Sequence, residues 1–294
     1  MTVTKVTGAS VRNPGAHMAV SLNGDFTGSL SGGCIEKAVV QEALQAIEDD
    51  RPRQVAYGAG SPFIDIRLPC GGRVDLLLNP INDERLVAQM MELATKRKPW
   101  SLSLPSDEGP IEVTDTRSPG WQGDDYVVRH APPLKLMIAG HGASVEALVR
   151  LAGAMDVYCE VATPDQDIVR RLSNAPSALP FLLERLSDPL PVEPDSHTAC
   201  TFLFHDHDWE TELIEQALSA PSFYVGAMGS LKTHNARCEA LVKRGVSATA
   251  IARIAAPIGS IPSSRDPETL AISIFAQVVE RYNALVAQGS GAPS

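Results

Sequence analysis

From Leu134 onward, short apolar runs alternate with stretches of helical periodicity, and no other feature restricts the chain as much. Leu134–Ala139 reads as a buried strand, Ala143–Ala154 as a helix, Val157–Ala162 as a second strand and Asp165–Leu172 as a second helix. The series continues with strand Ala199–His205, helix Asp208–Leu218, strand Phe223–Ala227, and helices Lys232–Arg244 and Pro267–Val286. Strands that are apolar throughout need cover on both faces, and strands separated by helices pair in parallel. Residues 134–288 are therefore expected to form a Rossmann-like parallel-sheet domain, with residues 289–294 as a flexible tail. The last helix carries Leu270, Ile274, Val278, Tyr282 and Leu285 on one side, a stripe suited to covering the sheet.

The first hundred residues keep a different rhythm. Met18–Leu22 and Phe26–Leu30 flank Asn23-Gly24, a hairpin signal because both turn residues tolerate positive φ. A helix is expected from near Gly33, with Ile35, Val39, Ala43 and Ile47 on one face, ending before Arg51-Pro52. Strands at Arg53–Tyr57, Ile64–Leu68 and Arg73–Leu78, then a helix over Glu84–Arg97, complete a small α+β domain of residues 1–100 with a largely antiparallel sheet. Residues 101–133, rich in Pro, Gly, Asp and Ser, read as a connecting segment with some strand structure of its own. The fold class is α/β, a small α+β N-terminal domain followed by the Rossmann-like domain.

At 294 residues and 44% hydrophobic, the chain can bury two cores. A net charge of −10 argues against nucleic acid, which needs clustered Lys and Arg to displace counterions. No apolar run approaches the roughly 20 residues of a membrane span. Met1–Lys5 leads into turn chemistry rather than an apolar leader, so a cytoplasmic location is expected. The five cysteines, at 34, 70, 159, 200 and 238, lack zinc spacing and fit reduced thiols, and they leave any metal set unassigned.

Several glycine turns could carry chemistry. Ser31-Gly32-Gly33-Cys34 leads into the first helix, whose dipole would lower the Cys34 thiol pKa while Glu36 opposes that effect. Cys70-Gly71-Gly72 repeats the pairing of a thiol with two glycines, although both cysteines also suit small buried positions. Arg12, ahead of Asn13-Pro14-Gly15, could fork onto a phosphate or simply be solvated. Gly140-His141-Gly142 joins strand to helix, where N–H groups meet a phosphate. Val145 stands where a dinucleotide fingerprint has its third glycine, and Thr163 ends the second strand where an acid would grip ribose, so ordinary NAD(P) binding is disfavoured. In His205-Asp206-His207-Asp208, alternate strand residues face opposite ways; Asp206 is the candidate ligand contact and Asp208 the cap of the next helix. Gly229, Ser230 and Arg237 could complete an anion pocket on the same edge, or be a turn and a surface charge.

Together these runs resemble the xanthine dehydrogenase accessory factor family, XdhC/CoxF type. The resemblance rests on 8–16 (GASVRNPGA), 28–36 (GSLSGGCIE), 68–72 (LPCGG), Gly140-His141-Gly142, His205-Asp206, 224–230 (YVGAMGS), Pro257-Ile258-Gly259 and Asp266-Pro267-Glu268, in that order. It implies an accessory protein that binds the molybdenum cofactor, as molybdopterin or its dinucleotide form. Such a protein protects the cofactor, supports its sulfuration by a cysteine desulfurase and delivers it to a molybdenum hydroxylase apo-enzyme of the xanthine dehydrogenase type. It implies a maturation chaperone without catalytic residues, and it is compatible with a homodimer. The cofactor-binding candidates are Arg12, Ser31, Gly32, Gly33, Cys34, Cys70, Gly71, Gly72, Gly140, His141, Gly142, Asp206, Gly229, Ser230 and Arg237. Two other readings stay open: an NAD(P)-dependent oxidoreductase using the Rossmann half, and a scaffold that joins desulfurase to target without holding cofactor.

Overall fold

A computed structural model describes residues 1–9, 12–33, 35–61, 71–115, 117–262, 264 and 266–290. The chain divides into two compact units, Met1–Ala131 and Pro132–Gln288.

In the first unit the elements run β1 (Thr2–Thr7), β2 (Met18–Val20), β3 (Phe26–Gly28), α1 (Glu36–Asp49), β4 (Arg53–Gly58), β5 (Arg73–Leu78), α2 (Glu84–Thr95), β6 (Trp100–Pro105), β7 (Glu112–Thr114), β8 (Gly120–Gln122) and β9 (Asp125–His130). β1, β5 and β4 form a three-stranded antiparallel sheet in that order. The apolar face of α1, Val39, Ala43 and Ala46, covers Val3, Tyr57, Val74, Leu76 and Leu78 of this sheet. β2 and β3 pair as the expected hairpin, Met18 opposite Gly28. One expectation needs correction. The helix starts at Glu36 rather than near Gly33, because the preceding residues make a different set of hydrogen bonds. Ile64–Leu68 lies outside the described residues.

The stretch read as a connecting segment holds a four-stranded antiparallel sheet, β7-β6-β9-β8. It has its own small core, in which Leu102, Leu104, Tyr126 and Val128 pack with Leu77 of β5 and Leu86 of α2. Its Pro and Gly residues are hairpin punctuation, which in sequence looks the same as a loop.

The second unit runs β10 (Lys135–Gly140), α3 (Ala143–Ala154), β11 (Tyr158–Thr163), α4 (Gln166–Leu172), β12 (Ala178–Leu182), β13 (Thr198–Leu203), a 3-10 turn at His207–Trp209, α5 (Glu210–Ser219), β14 (Tyr224–Ala227), α6 (Leu231–Lys243), α7 (Ala248–Ile251), β15 (Ile254–Ala255) and α8 (Pro267–Ser290). All six strands are parallel, in the order β12-β11-β10-β13-β14-β15. This is the doubly wound Rossmann order, whose direction reverses between β10 and β13. Alternate residues of β10 feed two cores. Leu136 and Ile138 meet Val145, Leu148, Ile274 and Val278, whereas Met137 and Ala139 meet Phe202, Leu213, Ile214 and Leu241. One described helix, Pro267–Gln288, is long and apolar enough to cross a membrane. Its Ala271, Ile274, Phe275 and Val278 are buried against the sheet, so this apolar stripe belongs to the unit's core.

Candidate functional site

In an open α/β sheet, ligands lodge at the carboxyl edge where strand order reverses. Here that point lies between β10 and β13. A Cβ on Gly140 would stand 2.6 Å from the Leu203 carbonyl oxygen, so only glycine lets these strands close up. Gly142 sits at φ +81° as the residue before α3 and supplies no side-chain cap; its carbonyl accepts from Val145 N at 3.2 Å, which leaves the two N–H groups ahead of Val145, those of Ala143 and Ser144, to face a ligand. The His141 ring centroid lies 5.7 Å from Phe204 and 5.6 Å from His205. Burial, then the His205 charge, hold its pKa below the usual value, against the pull of Asp206 and Asp165. A neutral imidazole beside an uncapped helix start can donate or accept one hydrogen bond without adding charge.

β13 stops at Leu203, so His205 and Asp206 leave the strand. The alternating-face constraint expected for this stretch does not apply. Asp206, not Asp208, supplies the local cap, its Oδ1 accepting from Asp208 N at 3.1 Å. At the end of β11, Thr163 Oγ1 accepts from Asp165 N at 3.1 Å, and Asp165 Oδ1 accepts from Asp167 N at 2.8 Å and Ile168 N at 3.2 Å. Glu160 is buried against Lys135, Nζ to Oε1 3.2 Å. The side chains nearest the ribose-gripping position are thus committed to local structure.

On the next strand of the same edge, Gly229 holds φ +132°, and a Cβ there would meet Thr233 Cγ2 at 2.9 Å. Ser230 caps α6 by accepting from Thr233 N at 3.2 Å. Arg237 is not a surface charge. It is 4% exposed. Its Nε donates to Glu210 Oε1 at 2.8 Å and its Nη2 to the Met228 carbonyl at 2.7 Å. The guanidinium braces the turn after β14 against α5, and Nη1 finds no hydrogen-bond partner among the described residues.

In the first unit, the turn between β3 and α1 is organised by Glu36, 5% exposed. Its Oε1 accepts from Ser29 Oγ at 3.1 Å, Leu30 N at 3.2 Å and Ser31 N at 3.0 Å. Its Oε2 accepts from Ser31 Oγ at 2.7 Å, Gly33 N at 3.0 Å and Ile35 N at 3.1 Å. Burial alone would raise the carboxyl pKa, but the hydrogen bonds from Ser31, Gly33 and their neighbours outweigh it and hold it at about 2. Gly32 N bonds Ser29 Oγ at 3.1 Å. Gly72 is packed so that a Cβ would lie 2.5 Å from the Ala9 carbonyl oxygen, and one on Gly8 would lie 3.2 Å from Gly72 Cα. The segment leading to exposed Arg12 and the turn with exposed Gly71 therefore leave the same end of the β1–β5 pair. Cys34 and Cys70 lie outside the described residues. Cys159 and Cys200 are buried, and burial pushes both thiols up to about 12, which marks them as packing residues.

A family pattern described as the XdhC Rossmann domain matches residues 136–278, and one described as the XdhC and CoxI family matches residues 1–58. The molybdenum cofactor insertion chaperone PaoD of Escherichia coli K12 is 32% identical over 279 residues, spanning 95% of this chain and 81% of that protein. The chain belongs to the XdhC and CoxI family. An uncharacterized protein of the same organism, YqeB, is 21% identical over 280 residues, 91% of this chain and 40% of its own length. A crystal structure described as a xanthine dehydrogenase from Bacillus halodurans superposes with a TM-score of 0.75 at 22% identity, covering 96% of this chain and 90% of that one, a likeness of fold.

Within this XdhC-family chain, sequence reasoning missed two residues that hold candidate turns in shape. Glu36 was read as a charge opposing a helix dipole, and Glu210, in the first turn of α5, was not singled out. A polar residue beside a glycine turn, with no solvated role required of it, was the available signal. The half-buried pair of Cys238 and His234, Sγ to Nε2 3.5 Å, also escaped notice, although its i, i+4 spacing on α6 is plain in the sequence.

Proposed function

We propose that the chain binds the molybdenum cofactor, protects it and delivers it to the apo-form of a molybdenum hydroxylase. The observation that carries this reading is the 32% identity to a molybdenum cofactor insertion chaperone over 95% of the chain. When bound, the cofactor brings a pterin, a metal–sulfur centre and a phosphate or nucleotide group. The thiols of Cys34 and Cys70 are the groups suited to the soft metal–sulfur end. The uncapped α3 start at Gly142, with Gly140 and His141, and the Gly229-Ser230 turn are suited to the anionic end. Asp206 and Arg12 serve as orienting groups in this scheme. Sulfuration would draw on a cysteine desulfurase, with the chain acting in the cytoplasm, as a homodimer, and turning over no substrate of its own.

A transfer assay tests this. Cofactor-free hydroxylase is mixed with molybdopterin in the presence or absence of the purified chain, and recovery of hydroxylase activity is followed. Faster or fuller recovery with the chain supports delivery. Identical recovery in both arms, with pterin bound to the chain, limits its role to storage.

A further inference from the structure

A run of N–H groups closing around a point is a cradle for an anion, and the turn from Ser29 to Ile35 is such a cradle. It is already filled. Six donors reach the two oxygens of Glu36, from Ser29 Oγ, Leu30 N, Ser31 N, Ser31 Oγ, Gly33 N and Ile35 N. A carboxylate offers about four lone-pair sites, so this one is saturated. One of the donors, Ile35 N, is further shared with Ser31 Oγ at 3.1 Å. An incoming phosphate would have to expel a side chain tethered within the same turn, whose effective concentration is of order millimolar or more. The expelled carboxylate, 5% exposed where it sits, would need new partners.

We propose that Glu36 is the resident anion of the Ser29–Ile35 turn, a positioning residue that shuts phosphate out and confines the turn's dealings with a ligand to its side chains. On the cofactor-binding reading above, the phosphate is then met by other residues, and this turn serves the thiophilic end alone.

The test is a titration of the full-length, 15N-labelled chain with inorganic phosphate, following the amide signals of Leu30, Ser31, Gly33 and Ile35. In the wild type these signals should stay in place, and in Glu36→Ala they should move saturably as phosphate enters the emptied cradle. Saturable movement in the wild type overturns the proposal, and so does a folded Glu36→Ala whose signals ignore phosphate. If Glu36→Ala does not fold, Glu36→Gln takes its place: loss of the charge should let phosphate move the same amide signals saturably, and a folded Glu36→Gln whose signals ignore phosphate overturns the proposal. No pterin is present, so failure here and failure of cofactor binding are separate results.

Discussion

Glu36 and the pair His17–His130 show how single residues set the conditions under which the first unit holds together. Removing the Glu36 carboxylate orphans several buried N–H groups at once, and Glu36→Ala should lower stability by about 3 kcal/mol, read as a fall in melting temperature. Its folded pKa near 2 lies below the free value of 4.5, so its contribution is complete above about 4.5 and lost as pH falls towards 2. The histidines act earlier on the acid side. His17 and His130 stack at 4.9 Å, and His130 stacks on Trp100 at 4.0 Å. Burial, with mutual repulsion adding for His17, brings each to about 4 from 6.5. The unfolded chain takes up those protons first, so stability should drop as pH falls from about 6.5 to about 4. His130→Phe keeps an aromatic ring against Trp100, and its melting temperature should vary less across that window. An unchanged pH dependence would show that other groups set it. None of this could be read from sequence, because the number of donors reaching a side chain depends on the path of the loop.

At the scale of elements, the best-buried ion pair among the described residues is Arg237 with Glu210, both side chains 1% exposed, linking α6 to α5 and to the turn after β14. Arg237→Met leaves Glu210 buried without its cation and should cost about 3–5 kcal/mol. The double variant Arg237→Met, Glu210→Met should regain most of that loss, and a denaturation cycle over the four proteins measures the coupling. If the double variant is as unstable as the single, the pair is not acting as a unit. The strands and helices of the second unit were largely legible, because buried parallel strands are continuous apolar runs. β12 was not, since Pro180 in its middle argues against a strand. It lies at the sheet edge, where a missing N–H is tolerated. β15 is too short, Ile254–Ala255, to leave a pattern at all.

Across the whole molecule, the ordered set of glycine turns carried the family resemblance, and the identity to PaoD over 95% of the chain supports it independently. What the turns do was less legible than where they lie. The Ser29–Ile35 turn, read as a setting for the Cys34 thiol, holds its own carboxylate, while the Gly140–Gly142 turn, read as a phosphate site, begins a helix that carries no side-chain cap. Both are glycine beside a helix start in the sequence, and only the position of one acidic side chain separates them. The most direct measurement of the central claim is retention of cofactor. Purified protein is mixed with isolated molybdopterin, passed over a desalting column and read by pterin fluorescence, beside Cys34→Ala. The account predicts pterin eluting with the wild-type protein and reduced retention in the variant; no pterin with either protein would contradict it.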